Sequence, residues 1–281
     1  MQISVMVYSF SRALASGQMT PYEVVEFIHS LGVDGIEMTY QYSLGVQGRR
    51  PPLDLRERGL QLSCVDVSVD FAQGTREQRE AALVKAREAI DYAAELGSRA
   101  VLIVPGSWKD HVPRDLAKEG VYWGLTEAAR YAIGLGLIPT IEDHSLAAVT
   151  GATSSALLEA CAATGDSLRI TYDTGNFLIG GEDPLDAWDR LTTRVAHVHV
   201  KDWVPVSAND ASLPRQRTAS SGIAYVGATL GRGVVPNEAI LKRIGRSAYD
   251  GFLSVEYEGN ADPRSEVRAG VEYLRSLLAK E

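Results

Sequence analysis

The chain has 281 residues, of which 45% are hydrophobic and 23% charged, with a formal net charge of −8 and a pI near 5.3. This composition supplies a sizeable core and excludes a disordered chain. A single α/β barrel of about 250 residues is a standard fold at this length. The acidic balance argues against a nucleic-acid surface, because phosphate neutralisation needs clustered Lys and Arg. Small molecules are the expected partners.

Export and membrane insertion are not expected. The N-terminus starts directly with a strand-like stretch, without the basic segment and long apolar run of a signal peptide, and no run of about 18 apolar residues occurs. Cys64 and Cys161 lie in apolar runs outside any CxxC pair, so both are interpreted as packing residues. The expected location is the cytoplasm. The oligomeric state stays open, with a homodimer or homotetramer among the alternatives.

Apolar stretches and helical patterns alternate along the whole chain. A helix is predicted from about Pro21, with Thr20 as its N-cap, and a short helix over 54–59. The predicted strands cover 3–8, 36–39, 61–69, 100–104, 137–142, 168–172, 195–200 and 252–257. The other predicted helices cover 75–96, 115–134, 152–163, 184–192, 236–245 and 263–279. This alternation predicts an α/β fold, a single (β/α)₈ TIM barrel over residues 1–281.

Two connections are longer than an ordinary βα loop. Residues 202–236 follow the seventh strand, are rich in Ser and Gly, and are predicted to form a long lid or interface loop. Arg215, Arg217 and Arg232 within it could meet a phosphate, although solvated loop charges are the preferred interpretation. Residues 40–52 follow the second strand and lie on the same side of the barrel.

Acid and imidazole side chains recur where successive apolar runs stop. Glu142, Asp173, His199 and Glu256 end the fifth to eighth predicted strands, and adjacent strands lie about 4.8 Å apart. A single acid at a strand end is usually a helix cap or a solvated charge, but four in succession are hard to explain in that way. Three carboxylates and one imidazole suit Mn²⁺, Mg²⁺, Co²⁺ or Zn²⁺. A cation would also relieve the repulsion among the carboxylates.

Period-two alternation places His197 and His199 on one face of the seventh strand, with His199 nearer the mouth of the barrel. His199 is therefore the expected ligand, and His197 is expected to support it from behind or to pack in the core. Lys201 continues the same face outward, where its ammonium could hold a substrate oxyanion. The alternative for Lys201 is a solvated charge at the rim.

These residues carry a resemblance to a known family. The motifs are Ile-Glu-Asp-His-Ser at 141–145, Tyr-Asp-Thr-Gly-Asn-Phe at 172–177, His-Val-His-Val-Lys-Asp at 197–202, Gly-x-Gly-Val-Val at 231–235 and Ser-Val-Glu-Tyr-Glu-Gly at 254–259. Together they resemble the sugar phosphate isomerase/epimerase branch of the xylose-isomerase-like TIM-barrel superfamily. Residues 33–37 resemble the second strand of that family, so the resemblance spans nearly the whole chain.

The resemblance implies both a metal centre and a reaction. Glu142, Asp173, His199 and Glu256 would bind one divalent cation, most often manganese, and Glu142 and Glu256 would be the acid/base pair. The implied activity is isomerisation or epimerisation of a sugar or sugar-like keto-polyol, by proton transfer through a metal-stabilised enediolate. Loss of a β-hydroxyl from the same intermediate would give dehydration instead.

Departures from the family argue against the most obvious substrate. Ketohexose 3-epimerases carry a His, an Arg and a Glu where this chain has Asn176, Pro205 and Ala148, so a standard free ketohexose is a doubtful substrate. The side chains expected to shape the pocket are instead His144, Asn176, Lys201 and Trp203. Tyr8, Glu37 and Trp108 end other strands at the same mouth, where rim packing is the alternative to substrate contact.

Other functions compete with the isomerase. The runner-up is a metal-dependent dehydratase or lyase acting on a keto-cyclitol, a dehydroshikimate-like compound or a 3-keto-glycoside with the same ligands. A remote alternative is an abasic-site endonuclease, which uses three zinc ions and many histidines, whereas this acidic chain has five His. The last class is a catalytically silent binding protein, against which the intact Glu142 and Glu256 argue.

Overall fold

Eight parallel strands close into a barrel in the computed structural model, which describes residues 1–43, 55–207 and 213–279, with only the backbone of residues 42 and 43. The barrel strands are β1 (Gln2–Met6), β2 (Gly35–Thr39), β3 (Gln61–Ser68), β4 (Ala100–Val104), β5 (Ile138–Glu142), β6 (Arg169–Asp173), β7 (Val195–Val200) and β11 (Phe252–Val255). Three further strands, β8 (Asp202–Val206), β9 (Arg217–Thr218) and β10 (Ala224–Ala228), lie outside the barrel. The barrel order is β1-β11-β7-β6-β5-β4-β3-β2. The (β/α)₈ prediction is confirmed.

Helices surround the barrel between successive strands. They are α1 (Ser11–Ala15), α2 (Pro21–Ser30), α3 (Tyr40–Ser43), α4 (Arg76–Glu95), α5 (Arg114–Gly134), α6 (Ser154–Ala163), α7 (Asn176–Gly180), α8 (Pro184–Leu191), α9 (Asn237–Gly245) and α10 (Pro263–Leu278). Thr20 caps α2 as predicted, because its hydroxyl accepts the N–H of Glu23 while the Glu23 carboxylate accepts the N–H of Thr20. Among the described residues, none of the helices has both the length and the apolar character to cross a bilayer.

Two irregularities of register lie in the strands beneath the mouth of the barrel. The β2–β3 register shifts between Ile36 and Glu37, and the β6–β7 register shifts between Ile170 and Thr171. Such shifts insert an extra residue in one strand and re-aim the side chains beside it. They therefore affect the directions of Glu37 on β2 and His197, the β7 partner of Thr171.

The described part of the long connection after β7 contains a small sheet, whereas the sequence predicted a lid or interface loop without strands. The sheet consists of three antiparallel strands in the order β8-β10-β9, and β8 begins two residues after β7 ends. The Asp202 carboxylate accepts the backbone N–H groups of Gly231, Gly233 and Val235, which ties the end of the connection back to its start. Residues 208–212 lie outside the described residues. This small sheet stands at the carboxyl end of the barrel.

Three predicted segments differ from the observed elements or lie partly outside the described residues. The short helix over 54–59 is not formed, because residues 55–59 make turns ending at Gly59 with φ +69°, and residue 54 lies outside the described residues. The first strand ends at Met6 and the last at Val255, so Tyr8 and Glu256 follow their strands rather than belonging to them. Of the irregular segment 40–52, residues 44–52 also lie outside the described residues.

Candidate metal centre and active site

The four side chains predicted as ligands converge at the carboxyl end of the barrel. Nδ1 of His199 lies 3.2 Å from Oε2 of Glu142, 3.5 Å from Oε2 of Glu256 and 3.9 Å from Oδ2 of Asp173. They come from β5, β6, β7 and the residue after β11, which are adjacent in the barrel. All four are buried. One oxygen of each carboxylate therefore faces the same imidazole nitrogen.

Glu37 sets the orientation of that imidazole. It is fully buried in β2, and its Oε1 lies 2.9 Å from Nε2 of His199 while its Oε2 lies 2.8 Å from Nε2 of His197. Because a carboxylate only accepts, the Nε2–H of each histidine is the donor. Nδ1 of His199 is then left facing three carboxylates. A histidine ligand held from behind by a carboxylate is the usual arrangement of a metal site.

Asp173, like His199, offers an atom that could bind a cation. Its Oδ1 accepts the backbone N–H groups of Gly175 and Asn176 at 2.8 and 2.9 Å, where α7 begins. Its Oδ2 is buried and makes no hydrogen bond, although Nζ of Lys201 lies 3.1 Å away. A buried carboxylate oxygen without a donor is costly unless a cation satisfies it.

The charges of the site also fit one divalent cation. Four buried carboxylates (Glu142, Asp173, Glu256 and Glu258) face two basic side chains, Lys201 and Arg217. With all four carboxylates ionised and His199 neutral, as cation binding would require, the excess of two negative charges is what a single divalent ion would neutralise. Ligand atoms of Glu142, Asp173 and His199 lie within 4.8 Å of one another, so the residues fit a mononuclear site of mixed oxygen and nitrogen ligands.

The protonation of His199 depends on its carboxylate neighbours. Burial acts to lower the pKa of His199, but the charge of Glu37 and the hydrogen bonds to Glu142 and Glu37 outweigh it and raise the pKa well above its ordinary value. Burial likewise opposes ionisation of Glu37, but both histidines hold the pKa of Glu37 well below its ordinary value. A proton on Nδ1 and a bound cation are alternatives, so cation binding should release a proton and weaken at low pH.

The two carboxylates expected to carry out acid/base chemistry differ in their surroundings. Burial raises the pKa of Glu142, but the hydrogen bond and charge of His199 bring it below its ordinary value. Burial raises the pKa of Glu256 well above its ordinary value, and the nearby ammonium of Lys201 offsets this only in part. Their surroundings therefore make ionisation easier at Glu142 and harder at Glu256.

Glu258 is a site residue that the sequence analysis missed. Its Oε1 lies 2.8 Å from Nζ of Lys201, and its Oε2 accepts from the Arg217 guanidinium at 2.9 Å. Burial opposes its ionisation, but Lys201 and Arg217 hold the pKa of Glu258 far below its ordinary value. The alternation that placed His197 and His199 on one face could also have indicated Glu258, because Glu258 follows Glu256 by two residues. Arg217, expected to be solvated, reaches the site from β9.

A cavity of about 170 Å³ opens above the candidate ligands. Its polar walls include Tyr8, His144, Asn176, Lys201, Arg217 and Glu258, together with Glu142 and Glu256. An engineered cavity of about 150 Å³ holds a benzene ring, so this space accepts a ring-sized or short-chain molecule. Hydroxyl, imidazole, amide, ammonium and guanidinium groups suit a substrate rich in hydroxyls.

Three residues predicted to contact substrate are placed elsewhere. Glu37 lies beneath the site rather than at its mouth, because β2 continues to Thr39 and turns the carboxylate toward both histidines. Trp203 is only 1% exposed, with its ring 5.5 Å from Nζ of Lys201. Trp108 lies under the Arg114 guanidinium at 4.9 Å. Neither tryptophan is among the described side chains that line the cavity.

Asp143 provides a test of the electrostatics around the site. It is fully buried, its Oδ1 accepts the backbone N–H of Asp173, and its Oδ2 has no partner. Burial, with the charges of Asp173 and Glu142, raises the pKa of Asp143 well above its ordinary value. A raised carboxyl pKa means that stability is fully present below the unfolded value and is lost as the pH rises toward the folded value.

We therefore expect Asp143→Asn to stabilise the metal-free protein, and to do so more at pH 8 than at pH 5. A gain of about 1 kcal/mol would raise Tm by roughly 2–4 °C in a domain of this size. Differential scanning calorimetry in EDTA at both pH values measures it. Asp250→Asn, at an aspartate whose side chain is 89% exposed, is the control and should show no such pH dependence. A lower Tm for Asp143→Asn at pH 8 would contradict the assignment.

Comparison with known proteins identifies the family. A family model described as a xylose isomerase-like TIM barrel matches residues 25–277. The chain belongs to this family. The chain is similar to an inosose dehydratase from Lacticaseibacillus casei, which is 24% identical over 282 residues, covering 93% of this chain and 91% of that protein.

Solved structures show the same fold. The probable 3-DHS dehydratase AsbF from Bacillus anthracis superposes with a TM-score of 0.76 at 17% identity, covering 98% of this chain and 99% of the other. An L-ribulose 3-epimerase does so with a TM-score of 0.76 at 16% identity, covering 99% and 95%. Proteins similar to this chain thus include some named as dehydratases and one named as an epimerase.

Proposed function

We propose that this protein is a divalent-cation-dependent isomerase or epimerase acting on a sugar or a sugar-like polyol ketone. The arrangement of Glu142 and Glu256 carries the proposal. They come from the two outer members of four adjacent strands, both face Nδ1 of His199, and both line the cavity. Two carboxylates that flank one substrate can remove a proton from carbon and return one to the opposite face or to the neighbouring carbon.

The cation is proposed to bind to Glu142, Asp173, His199 and Glu256, with Mn²⁺ as the native ion and Mg²⁺, Co²⁺ or Zn²⁺ as ions that suit the same donors. When bound, it would supply the positive charge that stabilises the developing negative charge on a ketone oxygen. The protein supplies the proton transfers. One glutamate takes the carbon-bound proton and the other delivers one, while Glu37 holds His199 in register beneath them.

The remaining walls of the cavity are proposed to orient the substrate. Lys201 presents an ammonium 3.0 Å from Oε2 of Glu256, where it can donate a hydrogen bond to a substrate oxygen. His144, Asn176 and Tyr8 can bind hydroxyl groups around the ring or chain. These contacts would place the reacting carbon between the two glutamates, which is the positioning that proton transfer requires.

Dehydration is a second candidate, favoured by two observations. The inosose dehydratase relative matches 93% of the chain. In addition, Lys201 beside Glu256 places an ammonium next to a carboxyl, which could assist departure of a β-hydroxyl as water. The same initial proton abstraction would then end in an enone, and keto-cyclitols, dehydroshikimate-like compounds or 3-keto-glycosides would be the substrates.

The two candidates are separated by incubating the Mn²⁺-loaded protein in D₂O with ketoses, keto-inositols and 3-keto-glycosides. We expect deuterium at a carbon next to the ketone without loss of water, measured by NMR and mass spectrometry, and suppression of the exchange by EDTA. An ultraviolet-absorbing enone would establish the dehydratase instead. If no compound in the panel exchanged or lost water above the EDTA control, the proposed substrate class would be wrong.

A further inference from the structure

Lys201 shares its partners with the proposed cation. Its Nζ lies 2.8 Å from Oε1 of Glu258, 3.0 Å from Oε2 of Glu256 and 3.1 Å from Oδ2 of Asp173. The last two oxygens are the ones that face Nδ1 of His199, at 3.5 and 3.9 Å. A buried ammonium and a divalent ion would therefore compete for the same two carboxylate oxygens. Of these three carboxylates, Glu258 is the one outside the proposed ligand set.

The backbone of Lys201 cannot relieve this competition by moving. Its N–H donates to the Thr174 hydroxyl, and its carbonyl accepts from Thr174 and from the Asn237 amide. The side-chain stem is confined as well, because Cγ of Lys201 packs closely against Gly175. A Cβ added to Gly175 would lie only 2.6 Å from that Cγ. The ammonium end of the Lys201 side chain is the part left able to move, and its position depends on the carboxylates around it.

Glu258 is held from its other side by the small sheet. Arg217 on β9 donates to Oε2 of Glu258 at 2.9 Å, which leaves Oε1 directed at Lys201. β9 pairs with β10, and β10 pairs with β8, so Arg217 is fixed by the sheet that follows β7. An alternating series of charges thus runs from the sheet through Glu258 and Lys201 to the ligands Asp173 and Glu256.

We propose that Glu258, fixed by Arg217, is a positioning residue that gives the Lys201 ammonium a carboxylate partner outside the ligand set, so that the ammonium can yield Asp173 and Glu256 to the cation, and that Glu258 thereby sets the affinity of the cation site. The inference rests on the cation site of the proposed function. Without Glu258, the carboxylate partners left to Lys201 among the described residues are the two cation ligands. The ammonium, which lies 3.1 and 3.0 Å from them in this structure, would then stay against them and repel the ion. Without Arg217, Glu258 would lose the orientation that directs Oε1 at Lys201.

The test is titration of the full-length, metal-stripped protein with Mn²⁺, followed by calorimetry and by the loss of the free-ion EPR signal. We expect Glu258→Gln to weaken binding by on the order of tenfold or more, as for other residues that support metal ligands. Lys201→Met should tighten it. In the Lys201→Met background, Glu258→Gln should change Kd by less than about threefold, because the group it positions is gone. Simple charge attraction predicts an undiminished loss in that background.

Arg217 separates positioning from simple electrostatics more sharply. Removing a positive charge near the site should tighten cation binding if charge alone matters, whereas Arg217→Gln should weaken it if Glu258 must be held. Arg217→Lys should restore part of the loss. The control is Arg215→Gln, which removes the same charge from a residue that donates to the hydroxyls of Tyr8 and Ser11. Its Kd should be unchanged or slightly lower.

The outcomes are distinguishable. If the wild type binds Mn²⁺ and the Glu258→Gln and Arg217→Gln variants bind as tightly, the inference is overturned and the cation site stands. If the wild type shows no saturable binding of Mn²⁺, Mg²⁺, Co²⁺ or Zn²⁺, both are overturned. Thermal unfolding in EDTA reports whether each variant folds. Should Glu258→Gln fail to fold, the Arg217 pair and the Arg215 control decide the question.

Discussion

Glu142→Gln and Glu256→Gln are each expected to lower kcat on the true substrate by roughly 10²–10⁴-fold, which is the usual contribution of a positioned acid or base. Glutamine keeps the size and a carbonyl oxygen of the side chain but cannot take or give a proton. Because both residues are also proposed ligands, turnover is measured at saturating Mn²⁺ and Kd for the ion is measured in parallel. Full turnover in both variants would show that the acid/base assignment is wrong.

The two variants should also differ from each other in D₂O. Loss of the residue that removes the proton abolishes both product formation and solvent exchange at the substrate carbon. Loss of the residue that delivers the second proton abolishes product formation but leaves exchange into recovered substrate. The control is Glu159→Gln on the outer helix α6, at a glutamate whose side chain is 56% exposed. Its kcat should match that of the wild type.

Glu37→Gln is expected to weaken cation binding by roughly 10–100-fold, although Glu37 is not itself a proposed ligand. The amide that replaces one carboxylate oxygen cannot accept the Nε2–H of a histidine, so His197 and His199 can no longer both be held. Glu37→Ala leaves both imidazole N–H groups buried without their acceptor, and we expect a loss of stability of about 3–5 kcal/mol. Mn²⁺ titration and urea unfolding in EDTA measure the two effects.

A neighbouring buried acid supplies the control for Glu37. Burial and the charge of Glu37 raise the pKa of Asp66 well above its ordinary value, so its neutral form is favoured and Asn resembles it closely. Asp66→Asn should therefore keep cation affinity within about threefold of the wild type. Equal losses in Asp66→Asn and Glu37→Gln would mean that general disruption of the barrel interior, and not the orientation of His199, accounts for the effect.

The candidate ligands could be recognised from the sequence because of how parallel barrels are built. Short apolar runs separated by helical patterns define the strands, and in a parallel barrel all strands end at the same edge. A polar side chain at the end of a run is thus placed at the mouth without any knowledge of long-range contacts. Glu142, Asp173, His199 and Glu256 satisfy this rule, and the structure brings them together. Glu258 obeys the same alternation and was open to the same argument.

The contacts of Glu37 and Arg217 could not be predicted from strand ends, for two different reasons. Glu37 meets His197 and His199 across the interior of the barrel, from a strand that is not adjacent to β7, and shifts of register lie in both strands concerned. No local pattern encodes that distance or those shifts. Arg217 lies in a connection whose Ser- and Gly-rich composition indicates a loop, whereas pairing with β10 makes it part of a sheet that reaches the site.

The sequence by itself determined the barrel and the types of side chain at its mouth, because hydrophobic periodicity and strand ends are local properties of the chain. The tertiary structure decided which of those groups support the others. Barrel closure placed Glu37 behind His199, and the pairing of β8, β10 and β9 into a small sheet brought Arg217 to Glu258 and, through it, to Lys201. These contacts join residues far apart in the chain, so they depend on closure, register and packing together.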